Sequence, residues 1–556
     1  MKRNLEFSSF HSKTFSFRQL LKSIAFLFIY MFTIALYAQQ PTEVWTARWP
    51  SPQSPQASNG KSIQKDIQGN IYVLADTGLG FGFLKYDQNG NLLFSVHHTP
   101  TGSFSTGGSS HFYIAATGDV YITGTVYIEL DYWIYTVKFN NNGVLQWSRL
   151  YNRDTDDSPE GITADNNGDI ILIGGANIGS TGYPLIIKYK PNGDTSWVRY
   201  FNPGQTCLSN QKVFIDSNNN IYTIGSIGIP PKCLILKYAP DGNLYWYKTF
   251  TLDVGRSNIG WGGIVLDEAG NIYLTGTQVR PQAQYDSYLL KLRNNGDTVW
   301  SRNYPQFGPG NFSLWGPIIS KSGNSIYYTA TYYAPASGYD IGTLKYDSLG
   351  NLEWIKTFNA GLVGGLNIPS NIKFDKYENV YVCGGGDYTN TGIDFTILKY
   401  LPSGILHWVT RYTGVTANRT DFANDIIVDT NIIYATGNSR KSSINYNDAV
   451  TVKYNHILGI NSSSNEMPNE YKVYQNYPNP FNGTTLITYA LPEADFVELQ
   501  IYNYLGESIV TLVKSEQSAG NYSIIVNMEG YASGIYFYKI KAGNKFTDSK
   551  KMIHLK

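Results

Sequence analysis

The sequence has few charged residues and, past residue 38, no long apolar run. Charged residues make up 15% of the 556 residues, and the formal net charge is +1. A nucleic-acid-binding protein normally carries a basic patch or stripe, so this balance argues against a nucleic-acid partner. No later segment has the ~20 apolar residues of a membrane-spanning helix. We therefore expect no transmembrane span once the N-terminal segment is removed.

Cysteine is also scarce. The three cysteines are Cys207, Cys233 and Cys383, so an exported chain can form one disulfide at most. Cys207 and Cys233 fall in the same repeat of the pattern described below, in loops on one face, and are the candidate disulfide pair. Cys383 ends a strand of another repeat, and we expect it to be buried with a free thiol.

What the sequence has in abundance is aromatic residues and glycine: 45 Tyr, 26 Phe, 11 Trp and 54 Gly. This composition is typical of many short strands joined by tight turns. It predicts an all-β fold.

The first 38 residues have the pattern of a secretory signal peptide. Scattered basic residues precede the apolar run SIAFLFIYMFTIALYA (23–38), which ends in the small residue Ala38. We predict cleavage after Ala38. The alternative is an N-terminal membrane anchor, but the run is shorter than the ~20 residues that a spanning helix needs. The chain is therefore expected to be secreted or held at the outer cell surface.

One unit of about 50 residues occurs eight times between residues 39 and 456. It contains a G-N-I-Y strand, as in GNIYLTG (270–276), and a K-Y strand, as in ILKYAPDGN (235–243). A third strand carries Phe94 in the first unit and Trp in the next six, and a fourth precedes each G-N-I-Y element. Four short strands separated by hairpin turns, repeated eight times, predict an eight-bladed β-propeller.

The eighth unit lacks its Trp strand, and a spare Trp strand, EVWTARW (43–49), stands before the first unit. Trp45 lies 26 residues before Ile71, as Trp246 does before Ile272. We predict that the N-terminal strand completes the last blade and closes the ring, which leaves no unpaired seam.

The pieces DEAGNIYLTGT (267–277), DFTILKY (394–400) and DAVTVKY (448–454) resemble the SBBP type of β-propeller repeat. The resemblance covers residues 43–455 and implies a propeller fold in an exported protein, without implying a reaction. The sixth unit departs from the pattern, since Lys321 stands where the repeat has Asp.

The tail differs from the repeats. A polar linker (457–470) precedes residues 471–556, whose alternation of apolar and polar residues predicts a small Ig-like β-sandwich. The pieces YPNPFN (477–482), ASGIYFYKI (532–540) and KKMIHLK (550–556) closely resemble the type A C-terminal sorting domain of the type IX secretion system of Bacteroidota.

This resemblance implies that the type IX machinery is a partner of the tail and that the chain is released or attached at the cell surface. The alternative is an ordinary Ig-like adhesion module. The candidate sorting-signal residues are Lys550, Lys551, Met552, Leu555 and Lys556.

The long irregular loops of the repeats fall on one predicted face. Aromatic residues in or beside them form the candidate binding face: Trp133, Trp261, Phe312, Trp315, Tyr332 and Tyr333. Aromatic platforms suit sugar or peptide surfaces. The alternative is that these aromatic residues seal the tops of the blades.

Two polar patterns have competing interpretations. The run DTDDSPE (154–160) could hold calcium, yet the Asp residues aligned before hairpin turns, such as Asp66, are expected to bond their own backbone. The Lys of each K-Y strand, such as Lys85, could attract anions, but we favour packing beside the strand or pairing with an aligned Asp. We thus assign no cofactor, with calcium as the alternative.

No catalytic motif such as H-E-x-x-H or G-x-S-x-G is present, so no catalytic or metal residue is assigned. The predicted function is an exported binding module for a glycan, a protein or cell-envelope material. The alternative is an eight-bladed enzyme of the quinoprotein type, since the G-x-x-x-W ending of the repeat resembles that of quinoprotein dehydrogenases, or another propeller enzyme.

Overall fold

The structure is a computed structural model. It describes residues 41–50, 57–77, 80–100, 103–104, 110–179, 181–205, 207–228, 231–250, 257–280, 284–305, 318–334, 337–414, 420–429, 431–440, 446–455, 468–476, 479–482, 484–517, 519–528 and 531–555. The predicted signal peptide and most of the linker lie outside these ranges. The chain divides into two compact units, residues 1–456 (unit 1) and 457–556 (unit 2).

All regular structure in the described residues is β-strand, which confirms the all-β prediction. The strands of the first half of unit 1 are β1 (Thr42–Trp49), β2 (Ser58–Lys65), β3 (Ile71–Thr77), β4 (Gly80–Tyr86), β5 (Leu92–His98), β6 (Ser103–Phe104), β7 (His111–Ile114), β8 (Val120–Ile128), β9 (Asp131–Phe139), β10 (Leu145–Tyr151), β11 (Thr155–Ala164), β12 (Ile170–Ile178), β13 (Thr181–Tyr189), β14 (Thr195–Tyr200), β15 (Cys207–Ile215), β16 (Ile221–Ile227), β17 (Lys232–Tyr238) and β18 (Leu244–Phe250).

The strands of the second half are β19 (Ser257–Leu266), β20 (Ile272–Arg280), β21 (Gln284–Leu292), β22 (Thr298–Pro305), β23 (Ile318–Ser322), β24 (Ser325–Ala334), β25 (Gly338–Tyr346), β26 (Leu352–Phe358), β27 (Gly365–Leu366), β28 (Ile368–Phe374), β29 (Val380–Tyr388), β30 (Gly392–Tyr400), β31 (Leu406–Tyr412), β32 (Asp421–Val428), β33 (Ile432–Arg440) and β34 (Asn447–Asn455).

These strands form eight sheets in the described part of unit 1. Seven take consecutive strands, in the orders β2 to β5, β7 to β10 with β6 also on β8, β11 to β14, β15 to β18, β19 to β22, β23 to β26 with β27 added on β25, and β28 to β31. The pairing is antiparallel apart from β27. Four-stranded antiparallel sheets of this kind are the blades of propeller folds.

The eighth sheet joins the two ends of unit 1. Its order is β1-β34-β33-β32, and β1 pairs with β34 from Thr42 opposite Asn455 to Trp49 opposite Ala449. The strand that stands before the first repeat in sequence therefore lies in the sheet of the last repeat.

Neighbouring sheets pack against one another through their first strands. The strands β2, β7, β11, β15, β19, β23, β28 and β32 contact one another in that order, and β32 also contacts β2. An apolar core cluster that includes Trp49, Ile63, Val73 and Tyr434 fills the space between the eighth sheet and the first. The middle strands of a sheet are therefore buried on both faces, as β3 and β4 are along their whole length.

A second contact repeats between sheets and joins three side-chain and backbone groups. The Lys of a third strand and the Trp opposite it on the outer strand donate hydrogen bonds to one carbonyl oxygen in the next sheet's hairpin turn. We call this the shared-carbonyl contact. It is made by Lys138 and Trp147 on Pro191, Lys188 and Trp197 on Pro240, Lys291 and Trp300 on Ser348, Lys345 and Trp354 on Pro402, and Lys453 and Trp45 on Gln88.

The same tryptophans cover a glycine of the turn that they reach. Gly350 has a φ of 83°, and a Cβ on it would lie 2.9 Å from the ring of Trp300. Gly90 has a φ of 87°, and a Cβ on it would lie 2.6 Å from the ring of Trp45. Glycine is needed at these positions both for the left-handed conformation and for the close ring.

Unit 2 consists of β35 (Lys472–Val473), β36 (Phe481–Asn482), β37 (Thr484–Leu491), β38 (Asp495–Tyr502), β39 (Ser508–Gln517), β40 (Gly520–Asn527), β41 (Gly534–Ala542) and β42 (Phe546–Leu555). They form two sheets, β35-β37-β40 and β36-β42-β41-β38-β39. Both sheets contribute to one core, which includes Ile487, Leu499, Tyr538 and Met552. The described residues of the chain contain no helix long and apolar enough to cross a membrane.

Replacing Trp45 with Ala should destabilise unit 1 by about 2–4 kcal/mol, because it removes a half-buried ring from the contact between the last sheet and the first. Differential scanning calorimetry would show this as a fall in Tm. Val44→Ala is the matched control, since Val44 is 45% exposed on the same strand. Equal Tm values for the two variants would contradict the role of Trp45.

Candidate functional site

The structure describes three of the six aromatic residues of the predicted binding face in full. Trp133 on β9 and Tyr332 and Tyr333 on β24 are half-buried. Tyr333 packs edge-on against Tyr339, with ring centroids 5.2 Å apart, so its ring is engaged within its own hairpin. Trp261 lies on β19 opposite Gly276. Phe312 and Trp315 lie outside the described residues.

Trp133 borders a cleft of about 330 Å³. The cleft lies between the tip of the β8–β9 hairpin and the segment that joins β10 to β11. Its walls include Glu129, Asp131, Trp133, Asn152, Arg153 and Asp154. An aromatic ring, an amide and charges of both signs therefore meet at one depression.

Asp131 ties the two walls of this cleft together. It follows the hairpin residues Glu129 and Leu130, which adopt left-handed φ values of 51° and 70°. Its Oδ1 accepts hydrogen bonds from the backbone N–H groups of Tyr132 and Asp156, and its Oδ2 accepts one from the Asn152 amide. The hairpin tip is thereby fixed to the neighbouring loop.

Asp157 holds the base of the same loop. It is fully buried and accepts hydrogen bonds from the backbone N–H groups of Arg153 (2.8 Å) and Asn177 (3.2 Å). Burial raises the pKa of Asp157 to about 6. The Arg153 guanidinium lies 4.1 Å from the ring centroid of Tyr200, which orients it along the cleft wall.

Two polar atoms of the cleft walls have no hydrogen-bond partner among the described residues. They are the Trp133 indole Nε1 and the Asn152 carbonyl Oδ1, both covered from solvent. One is a donor and the other an acceptor, and a buried polar atom without a partner is costly. A hydroxyl group, which donates and accepts, is the group that would satisfy both.

A further set of polar residues lies on the first strands of four successive sheets: Lys61, His111, Glu160 and Lys212, which we call the first-strand cluster. Lys61 and Glu160 sit at register shifts of β2 and β11, where a bulge redirects the side chain. Lys61 pairs with Asp76 at 3.1 Å. The His111 Nε2 is buried without a hydrogen-bond partner among the described residues.

Burial and the charges of Lys212 and Lys61 lower the pKa of His111 to about 3, so its imidazole is neutral. Burial raises the pKa of Glu160 and lowers the pKa of Lys212, and each opposes the shift of the other. No sequence motif marks these residues, because each is an isolated residue in an irregular part of its repeat.

The predicted disulfide between Cys207 and Cys233 is wrong, since both cysteines are buried free thiols. Cys207 on β15 pairs with Ile227 of β16, whereas Cys233 on β17 pairs with Ser226 on the other side of that strand. The two strands are therefore about 9.5 Å apart, beyond the reach of a disulfide. Adjacent positions on β16 also place the two thiols on opposite faces of the sheet. Cys383 is buried and free, as predicted.

The aligned Asp residues bond their own turns, which confirms the turn interpretation. Asp66 Oδ1 accepts hydrogen bonds from the N–H groups of Gln68 (3.0 Å) and Asn70 (2.8 Å). Asp216 and Asp375 make the same pair of bonds. Among the described residues, no group of three or more His, Cys, Asp or Glu side chains is placed to hold a metal.

The lysines of the K-Y strands pack beside their strands, as predicted. Seven lie over the ring of the tyrosine on the neighbouring strand: Lys85 over Tyr72, Lys138 over Tyr121, Lys237 over Tyr222, Lys291 over Tyr273, Lys345 over Tyr327, Lys399 over Tyr381 and Lys453 over Tyr434. Lys188 has no such tyrosine and pairs with Asp165 at 2.7 Å.

The predicted sorting-signal residues lie on β42, apart from Lys556, which is outside the described residues. Met552 is buried, Lys551 and Leu555 are exposed, and Lys550 pairs with Asp548 at 3.2 Å. Residues 479–482 of the YPNPFN segment lie along the outer edge of β42. Asn479 donates to the Lys551 carbonyl (3.1 Å) and accepts from the Ile553 N–H (2.8 Å), so it satisfies backbone groups that an edge strand leaves open.

Residues 475–555 match the family of secretion system C-terminal sorting domains. No curated protein matches the sequence. Among solved structures, the chain is similar to Sqt1 from Chaetomium thermophilum, with 11% identity and a TM-score of 0.43 over 75% of this chain and 100% of that chain. It is also similar to the polysaccharide lyase Uly1, with 9% identity and a TM-score of 0.40 over 72% of this chain and 90% of that chain.

A protein of unknown function from Dyadobacter fermentans gives 10% identity and a TM-score of 0.36 over 75% of this chain and 99% of that chain. At this level the likenesses identify no ligand. The sorting domain does identify the export route: the chain is secreted through the type IX system to the cell surface or the extracellular space, and the type IX machinery is its partner.

The chain should carry three free thiols when it is isolated from the extracellular medium. Alkylation after unfolding in the absence of reductant should therefore modify all three cysteines, because the structure separates Cys207 from Cys233. Intact-mass measurement counts the alkyl groups. A mass with a single alkyl group, rising to three only after reduction, would show that a disulfide does form.

Proposed function

We propose that unit 1 is a closed, eight-bladed β-propeller with SBBP-type repeats that acts outside the cell as a binding module for glycans or glycan-rich envelope material. Eight sheets in succession and the pairing of β1 with β34 support the blade count and the closure. Hydrogen bonds across the join support it further, from Asn424 to the Gly60 carbonyl and from the Ile63 N–H to Asp425. Unit 2 is then an Ig-like carrier, and residues 1–38 a Sec signal peptide.

The cleft beside Trp133 is the observation that carries glycan binding. A sugar ring presents an apolar face that packs on an aromatic ring and hydroxyl groups that both donate and accept hydrogen bonds. The cleft offers the indole of Trp133, the amide of Asn152 and the guanidinium of Arg153. Its volume of about 330 Å³ suits one or two sugar units rather than a folded partner.

The unpaired hydrogen-bonding atoms of the cleft walls also support a glycan ligand. The Asp131 carboxylate already accepts three hydrogen bonds from its hairpin and the neighbouring loop. The Trp133 donor and the Asn152 acceptor, in contrast, have no partner among the described residues. Both atoms are covered from solvent in the free protein. A ligand hydroxyl can therefore bond to them only if the side chains that cover them change rotamer. Binding then restores two hydrogen bonds that the free protein lacks.

Trp133→Ala should weaken binding to neutral polysaccharides by at least about tenfold, which corresponds to ~1.4 kcal/mol. A glycan array with the purified secreted chain identifies the best neutral oligosaccharide, and isothermal titration calorimetry then compares the variants. The matched control is Leu130→Ala, since Leu130 is 86% exposed at the tip of the same hairpin and does not line the cleft.

The proposal requires that the Leu130→Ala variant bind like the wild type while the Trp133→Ala variant, shown by circular dichroism to be folded at the assay temperature, binds weakly. It is wrong if the array retains no glycan, or if Trp133→Ala and Leu130→Ala bind with equal affinity.

A further inference from the structure

Two arginines occupy the same place in the repeat but are used differently. Arg48 and Arg411 each stand three residues after the Trp of an outer strand, Trp45 and Trp408. Each faces an Asp that begins the neighbouring strand: Asp448 for Arg48 and Asp394 for Arg411. The repeat itself therefore supplies an internal comparison for the role of the arginine.

Arg48 is a structural residue. Its guanidinium donates hydrogen bonds to Asp448 (3.3 Å), to the Tyr412 hydroxyl (3.0 Å) and to the Ser439 hydroxyl (3.0 Å) and carbonyl (3.3 Å). Its side chain is 21% exposed. These hydrogen bonds connect β1 to the other strands of its sheet and, through Tyr412, to the preceding sheet.

The guanidinium of Arg411, in contrast, is only weakly hydrogen-bonded and is partly exposed to solvent. Its one hydrogen bond to a described residue is long, 3.5 Å from Nη1 to Asp394 Oδ2, and its side chain is 47% exposed. Asp394 Oδ2 also accepts hydrogen bonds from the Thr391 (2.9 Å) and Thr413 (3.1 Å) hydroxyls, so the arginine is not its only partner. The Tyr388 ring, 4.8 Å from the guanidinium, fixes its plane.

The open guanidinium lines a cleft of about 420 Å³ between the sheet of β23 to β26 and the sheet of β28 to β31. The other walls include Phe358, Asn359, Tyr388, Val409 and Thr410, so Arg411 is the only charged residue among the lining residues. Asn359 is occupied, since its amide donates to Asp340 and its carbonyl accepts from Gly361. The cleft thus offers one oriented cation beside an apolar wall.

These features select an anion with one negative charge and a partly apolar body. A carboxylate matches the planar fork of a guanidinium with two parallel hydrogen bonds, whereas a phosphate dianion favours sites with more than one cation. The Phe358 ring and Val409 then face the body of the ligand rather than its charge.

We propose that this cleft binds the carboxylate of an acidic sugar, a uronate unit of a polysaccharide, through the guanidinium of Arg411. The choice of a sugar among carboxylates rests on the proposed glycan-binding function, while the choice of a carboxylate rests on Arg411 and its cleft. The uronate carboxylate lies on the Arg411 fork, and its ring face packs on Phe358.

The test is calorimetric titration of the full secreted chain with a galacturonate tetrasaccharide, its methyl ester, glucose 6-phosphate and a short peptide with a free C-terminal carboxylate. Arg411→Gln should weaken binding of the acidic tetrasaccharide by at least about tenfold, because it removes the charge-assisted pair. Arg411→Lys should restore only part of the affinity, since an ammonium keeps the charge without the fork. The methyl ester should bind the wild type as weakly as the acid binds the Arg411→Gln variant.

Two variants serve as controls. Arg48→Gln should lower Tm more than Arg411→Gln does, because Arg48 makes four hydrogen bonds and Arg411 one long one, and binding is compared at a temperature where both variants are folded. Trp133→Ala should leave the difference in affinity between the acid and its methyl ester unchanged, because the Trp133 cleft is a separate site.

The inference is wrong if the acidic tetrasaccharide does not bind, if it binds Arg411→Gln as well as the wild type, or if the phosphate or the peptide binds more tightly than the uronate. Loss of neutral glycan binding in Trp133→Ala together with unchanged uronate binding in Arg411→Gln overturns this inference and leaves the proposed function standing. Uronate binding that depends on Arg411, with no neutral glycan bound, supports this inference and overturns the role of the Trp133 cleft.

Discussion

Unit 1 depends on a repeated hydrogen-bond acceptor, the turn carbonyl of the shared-carbonyl contact, which the described residues make between five pairs of neighbouring sheets. The ammonium and the indole that it binds are cross-strand neighbours, as Lys138 and Trp147 are, so they leave the preceding sheet from the same face. The lysine charge is partly desolvated over its tyrosine, and the carbonyl replaces part of the lost hydration. The tryptophan ring meanwhile covers the glycine of the turn. Spacing between sheets is thus set by polar groups with fixed geometry rather than by apolar packing alone.

This contact explains which features could be predicted from the sequence. The Lys, the Trp, the turn Gly and the turn Asp recur because each makes the same kind of contact in several sheets, so their spacing predicted the strand order and the place of EVWTARW. Asp66 could be assigned to its turn for the same reason, since an Asp two residues before a reversal bonds the backbone ahead of it. Local chemistry that repeats is visible in one sequence.

Chemistry that does not repeat was harder to predict. The sequence predicts loops at Cys207 and Cys233, whereas in the structure both residues lie in strands, β15 and β17. The face of the sheet that a side chain occupies depends on its position in the strand, and the sequence does not give the exact ends of these strands. Arg411 reads in sequence like Arg48, and only the positions of Thr391 and Thr413 show that its partner is already occupied. His111 and Glu160 likewise gain their environment from other sheets. Trp133 could be named from the sequence because a large aromatic residue beside a long loop is informative by itself, and its role in binding stays a prediction.

The pairing of β1 with β34 has a consequence for the order of events during folding. Residues that are about 400 positions apart, such as Arg48 and Asp448, must meet to finish one sheet. Bringing them together costs loop-closure entropy that is recovered only when the intervening seven sheets are already compact. Strand β1 therefore pairs only once β34 is in place, and a chain that ends before Ala449 has no residue for β1 to pair with. The last sheet is therefore complete only when strands from both ends of unit 1 have paired.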